Sequence, residues 1–399
     1  MGLQFAREEH ERRIAAARAS LRERDLAAIL LFAPESHYYL SGFDTEGYVF
    51  FQCLVLTADE TPLVLLTRRP DLEQARITSI VEDVRLWYDA EGVDPATELR
   101  AILEERGLAG ARIGIELNNY GLTGANHARV QAALGAWCRL EDASDLVRAL
   151  RIVKSPAELA YVREAGALAD RSLQAMIDTA GPGVFEGEVH AAGHAAIYIG
   201  GGDVAASPPV LGSGERALLV RASTGFRKLD AVDQLTLEFA AAYRRYHACL
   251  MRTVAIGSNG AYQRRMFAAT RDALAAMTAA AKPGRPLGEI DDAHRRVFDD
   301  AGFNHARLSA CGYSLGCTYA PNWMDVPPML YSGNPMPAVP GMVLFLHAIL
   351  ADSREGFAMS AGHTIVITET GSEPLSRIPV DYALCRGTGF RGWATRLPA

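Results

Sequence analysis

The chain has 399 residues, 49% of them hydrophobic and 22% charged, the balance of an ordinary folded protein with room for two domains. A net charge of −7, with no basic stripe interleaved with aromatics, argues against nucleic acid or an anionic membrane surface as the main partner. No apolar run reaches the roughly 18 residues that span a bilayer. The charged N-terminus lacks a signal-peptide core, and the six cysteines form no C-x-x-C pair, so a cytoplasmic protein with reduced thiols is expected.

Residues 9–24 read as a charged amphipathic helix and 27–33 (A-A-I-L-L-F-A) as a buried strand. Two further strands, 49–56 and 63–66, flank the turn D-E-T-P. A helix follows, then a strand at 84–87, a helix at 96–106, a strand at 112–116 and a helix at 126–134. This alternation predicts a small α/β domain over residues 1–153. The sharpest boundary is K-S-P-A-E-L at 154–159, where Ser155 suits an N-cap, Pro156 the first helical position and Glu158 the acid of a capping box. From there a helix runs to 179, G-P-G ends it, and a second helix covers 185–199 up to the G-G-G-D break. Strands are expected at 207–212, 234–243 and 246–256, helices at 260–281 and 287–301, and strands at 342–350 and 363–368. Helices and long antiparallel strands in blocks predict an α+β domain over 154–399.

Glu238 stands out as a lone acid on the apolar run L-T-L-E-F-A-A-A, on the same strand face as Thr236 and Ala240. A carboxylate there is costly unless it is paired. It is either a structurally satisfied acid or a desolvated group with a raised pKa, fit to act as base, acid or nucleophile. The turn Y-R-R-Y-H at 243–247 offers Arg244 and Arg245, which could clamp a carboxylate or simply face solvent. His347 and His363 lie inside apolar strands, as core residues or as catalytic groups. With Glu238, Cys249 and His247 they could also compose a zinc-type site, although the spacing fits no standard signature. Cys249 reads as inert packing or as a nucleophile served by one of those histidines. The aromatic-rich stretch 311–323, with Tyr313 and Trp323, could wall a small pocket. No dinucleotide fingerprint, P-loop or nucleophile elbow is present.

The segments S-G-F-D (41–44), R-I-G-I-E (112–116), K-S-P-A-E-L and Y-R-R-Y-H-x-C-x-x-R-T together resemble the creatinase/aminopeptidase P, or pita-bread, family over about residues 8–380. Within it, A-A-A-Y-R-R-Y-H, C-G-Y-S-L-G and T-Y-A-P-N-W look most like the ectoine hydrolases, which open a cyclic amidine. The resemblance implies a small N-terminal creatinase-like domain, a pita-bread catalytic domain and a homodimer. The family's peptidases bind two metals through two Asp, one His and two Glu. In this chain those positions hold Glu238, Cys249, Tyr313, His347 and Gly362. The histidine base of creatinase falls on Arg221, whose guanidinium cannot act as a base at neutral pH.

The expected function is therefore metal-independent hydrolysis of a C–N bond in a small carboxylated amidine, guanidine or amide, with no cofactor. Glu238 would attack or activate water and His347 or His363 would move the proton. Arg221 or Arg244 would anchor the carboxylate, and Tyr246, Tyr313 and Trp323 would shape the pocket. Two alternatives stand beside it. One is a metal-dependent hydrolase built on Glu238, Cys249, His347 and His363. The other is a pseudoenzyme that binds a small ligand without turning it over.

Overall fold

The computed structural model describes residues 2–221 and 225–390, and the chain divides into two compact units, Met1–Arg151 and Ile152–Ala399. The first unit carries six strands: β1 (Ala28–Leu31), β2 (Cys53–Thr57), β3 (Val64–Arg68), β4 (Asp83–Trp87), β5 (Arg112–Ile115) and β6 (Arg139–Asp142). Their order is β4-β3-β2-β1-β5-β6; β1–β2 and β2–β3 are antiparallel and the other pairs parallel. Helices α1 (Arg7–Glu23), α2 (Pro34–Ser41), α3 (Leu72–Thr78), α4 (Pro95–Glu105), α5 (Gly124–Leu134) and α6 (Leu146–Arg151) complete the unit. The unbroken A-I-L-L of β1 follows from cover on both faces. Ile29 and Leu31 pack with Leu21 of α1, while Leu30 packs with Leu99 of α4 and Val130 of α5. Strand β6 and helices α2 and α6 carry no periodic signal. β6 is a four-residue polar edge, and α2 is buried along nearly its whole length, so it has no polar face.

The second unit opens with α7 (Pro156–Thr179), capped as its sequence predicts: Ser155 Oγ accepts from the Glu158 N–H, and Glu158 reaches back to the Ser155 N–H at 2.8 Å. Then come α8 (Glu186–Ile199), β7 (Val210–Ser213), β8 (Asp233–Tyr243), β9 (Tyr246–Ile256), α9 (Ala261–Ala280) and α10 (Gly288–Asp300). The chain continues with β10 (Gly312–Leu315), β11 (Met324–Leu330), β12 (Val343–Asp352), β13 (Phe357–Ile367), β14 (Ser372–Pro374) and β15 (Leu384–Cys385). Among the described residues these strands form one sheet of order β11-β10-β12-β13-β9-β8-β7, with β14 on β13 and β15 on β9. One face carries Leu235, Leu237 and Phe239 against Leu168 and Leu173 of α7, and Leu344, Leu346 and Ala361 against Leu274 and Met277 of α9. The other face is left for the site.

Register decides which side chains share that inner face, because directly paired residues point the same way. Glu238 pairs with Met251, Met251 with Gly362 and Gly362 with His347, forming one row across four strands. In the adjacent row Ala240 pairs with Cys249, and Thr364 with Phe345, which pairs in turn with Tyr313. Cys249 and Thr364 are tied by two hydrogen bonds, at 2.8 and 3.0 Å. Strands β10 and β11 fall within or just beyond the stretch read as a loop. The Gly312 and Pro327–Pro328 signals argue against strands, but β11 ends the sheet order, where proline removes no needed ladder donor.

Candidate active site

A cavity of about 620 Å³ opens on the inner face. Glu238, His347, Tyr313, Trp323, Asn322 and Arg221 line it, with Ser207–Val210 and Leu308–Ala310 completing the wall. Glu238 is partly exposed into this space. Burial pushes its carboxyl up to about 7, against the opposing pull of the nearby Arg221 cation. The group is thus shared between its two protonation states near neutrality, a condition suited to taking and returning a proton.

Arg221 lies between β7 and β8, and both ends of that connection are pinned. The fully buried Glu186 carboxylate accepts from the Ser213 N–H (3.0 Å), the Ser213 hydroxyl (2.5 Å) and the Phe226 N–H (3.2 Å). Arg227 donates to Ser213 Oγ and to Asp233, each at 2.6 Å. On the opposite wall Trp323 Nε1 donates to Tyr313 Oη at 2.8 Å, while Asn322 Oδ1 accepts the Met324 N–H at 3.0 Å. His347 is 8% exposed, and burial holds its imidazole down to about 4, so it is neutral at working pH. Its Nδ1 has no hydrogen-bond partner among the described residues.

Glu238, His347, Tyr313, Trp323 and Arg221 therefore meet around one space. Five other expected participants do not. His363, one residue along β13 from Gly362, points to the opposite face, where its Nε2 meets Thr278 of α9 at 3.0 Å. It lines a separate cavity with Arg271, Lys282 and Ser372, so it cannot share a proton or a metal with Glu238. Tyr246 is fully buried and donates to Glu158 at 2.8 Å, fixing the hairpin to the start of α7 instead of touching a ligand. Arg244 sits at the hairpin tip with φ 51° and lies 5.2 Å over the Tyr243 ring, away from the cavity lining. Cys249 is fully buried, and burial drives its thiol well above the ordinary cysteine value, so no thiolate is offered to a metal or an electrophile. His247 is likewise engaged: Nε2 accepts from the Ala206 N–H at 3.0 Å and Nδ1 meets Thr318 at 3.1 Å. That bond anchors the Ser207–Val210 wall. Asn322 and the 308–310 wall were not singled out from sequence, because lone polar residues in a loop carry no periodic or spacing signal.

The donors on the inner face do not fit a pair of divalent ions. Such ions want several carboxylate oxygens, and the two rows offer Glu238 with a phenol, a buried thiol, one imidazole and a glycine. At Gly362 a Cβ would stand 2.9 Å from the Phe345 ring, so that aromatic occupies the space a side chain at 362 would need. Among the described residues no group of three or more His, Cys, Asp or Glu side chains is arranged to hold a metal ion. No helix of the described residues is long and apolar enough to cross a membrane.

Comparison with known proteins places this geometry in context. Residues 160–369 match the model for metallopeptidase family M24, and residues 13–153 match the creatinase/prolidase N-terminal domain. An uncharacterised hydrolase/peptidase (y4tM) of Sinorhizobium fredii is 27% identical, over 94% of this chain and 97% of its own length. The ectoine hydrolase of Halomonas elongata is 26% identical, over 95% and 98%. The crystal structure of dipeptidase PepE from Mycobacterium ulcerans superposes with a TM-score of 0.80 at 24% identity, covering 96% of this chain and 99% of that one, which establishes the shared fold. With more than half of the chain matching the family model and a creatinase/prolidase N-terminal unit before it, the chain belongs to metallopeptidase family M24.

Proposed function

We propose that this protein is a hydrolase that opens a C–N bond in a small carboxylated amidine, guanidine or amide without a metal ion. The observation that carries the reading is Glu238: a desolvated carboxyl with a pKa of about 7, facing Arg221 across a cavity sized for a small molecule. In this scheme Arg221 binds the substrate carboxylate through its planar fork. Glu238 takes a proton from water as the water oxygen adds to the electrophilic carbon, then returns it to the departing nitrogen. Neutral His347, which lines the cavity, hydrogen-bonds the attacking water or the substrate and keeps it in line. Trp323 and Asn322 close the far wall. The ectoine hydrolase relative supports a cyclic amidine as the first substrate to try.

The test is a hydrolysis panel of ectoine, creatine and a proline-containing dipeptide, run with the wild type and with Glu238→Gln after treatment with a chelator. Turnover of an amidine or guanidine, lost by at least about 1,000-fold in the variant, is the expected result. Cleavage of the dipeptide alone, dependent on added divalent metal, would replace this reading with a peptidase.

A further inference from the structure

The hydrogen bond between Trp323 and Tyr313 has a direction that fixes what the phenol can do. An indole N–H only donates. At 2.8 Å, Tyr313 Oη is therefore the acceptor, and its own proton must point elsewhere. Among the described residues no protein group accepts it. Tyr313 and Trp323 are only 6% and 5% exposed, so their polar tips are satisfied by each other, except for that single phenol proton. The register of β10 on β12 places Tyr313 on the same face as Glu238 and His347, and all three line the cavity. The Tyr313 ring is braced by Phe345 and His347, with centroids at 5.5 and 5.8 Å, so the phenol swings little.

We propose that Tyr313 is a catalytic hydrogen-bond donor, aimed by Trp323, that stabilises the charge developing on the substrate heteroatom as water adds. This rests on the hydrolase reading of the same site. As the water oxygen bonds to carbon, a proton passes to Glu238 and the electron pair of the C=O or C=N bond withdraws onto the heteroatom. Tyr313 Oη–H donates to that atom and keeps its own proton. The C–N bond then breaks as nitrogen takes the proton back from Glu238, and the withdrawn pair returns. A donor of this kind acts where charge appears, so it raises turnover more than binding. Accepting from Trp323 polarises the O–H and makes it a better donor. Burial, reinforced by the charge of the Glu238 carboxylate, keeps the phenol neutral well beyond its usual range, so it remains a donor throughout. Trp323 acts through Tyr313 and is a positioning residue.

The experiment compares kcat and KM for the wild type, Tyr313→Phe, Trp323→Phe, the double variant and Glu238→Gln on the substrate turned over. Tyr313→Phe is expected to lose about 100- to 1,000-fold in kcat with KM within about threefold, as when one preorganised donor is removed. Trp323→Phe is expected to lose about 10-fold in kcat, and the double variant to be no worse than Tyr313→Phe alone, because the indole acts only through the phenol. Should Tyr313→Phe fail to fold, the kcat-against-KM split of Trp323→Phe decides, and a loss confined to KM overturns the proposal. Full kcat in Tyr313→Phe beside an inactive Glu238→Gln overturns the donor role and leaves the hydrolase reading intact. Losses that multiply in the double variant also overturn it. No turnover by the wild type on any amidine, guanidine or amide overturns the hydrolase reading and the donor role with it.

Discussion

In the proposed reaction Glu238 sets both the chemistry and its pH dependence. As a base it must be ionised, so kcat/KM is expected to rise about tenfold per unit below pH 7 and to level off above it. A profile that is flat from pH 5 to 9 would remove Glu238 as the base. The same burial has a stability cost with the opposite sign. The folded state holds the Glu238 proton up to about pH 7, while the unfolded chain releases it near the ordinary 4.5, so stability falls as pH rises between these values. Glu238→Gln is therefore expected to stabilise the protein at pH 8 by up to about 3 kcal/mol and to do little at pH 5, read by thermal melts at both pH values. Arg221→Ala is expected to raise KM by about 10- to 100-fold with a smaller effect on kcat, since a carboxylate anchor binds substrate and transition state alike. Glu238 was legible in sequence as a lone acid on an apolar strand. The role of Tyr246 was not, because its partner Glu158 lies 88 residues away and nothing local marks the pair.

At the scale of the strand, one row of paired residues explains which candidates meet. Period-two alternation puts Gly362 and His363 on opposite faces. The family resemblance puts Gly362 among the site positions, so the opposite direction of His363 is implicit in the sequence and needs only that parity argument. The hairpin β8–β9 was readable from its alternation, while β10 was hidden by its shortness and Gly312, and β11 by prolines that its edge position tolerates. The row also explains why a carboxylate cannot simply be restored at 362. Gly362→Ala is expected to cost about 1–3 kcal/mol, because its Cβ meets the Phe345 ring and the Leu346 carbonyl at 2.9 and 2.8 Å. A melting temperature unchanged from wild type would contradict that packing account.

Across the whole molecule, burial of imidazoles sets the acid limit. His10 and His37 in the first unit, and His190, His247, His347 and His363 in the second, are each held down to about 4, chiefly by desolvation. The unfolded chain takes up these protons near 6.5 and the folded chain only near 4, so stability is lost as pH falls through that window. Both units are expected to unfold between about pH 6 and 4, and a denaturation midpoint that is constant from pH 7 to 4 would contradict this. The architecture was legible from block order and family motifs. The remodelling of the site was legible only in part, because the loss of metal-binding carboxylates can be read from residue types while the filling of their space by Phe345 cannot. The central claim is that Glu238 drives hydrolysis without a metal. Its most direct test is kcat/KM on a cyclic amidine for protein of measured metal content, before and after chelation. The account expects turnover that is unchanged by chelation, at well below one metal per chain. Activity that disappears with the chelator and returns with stoichiometric divalent metal would contradict it.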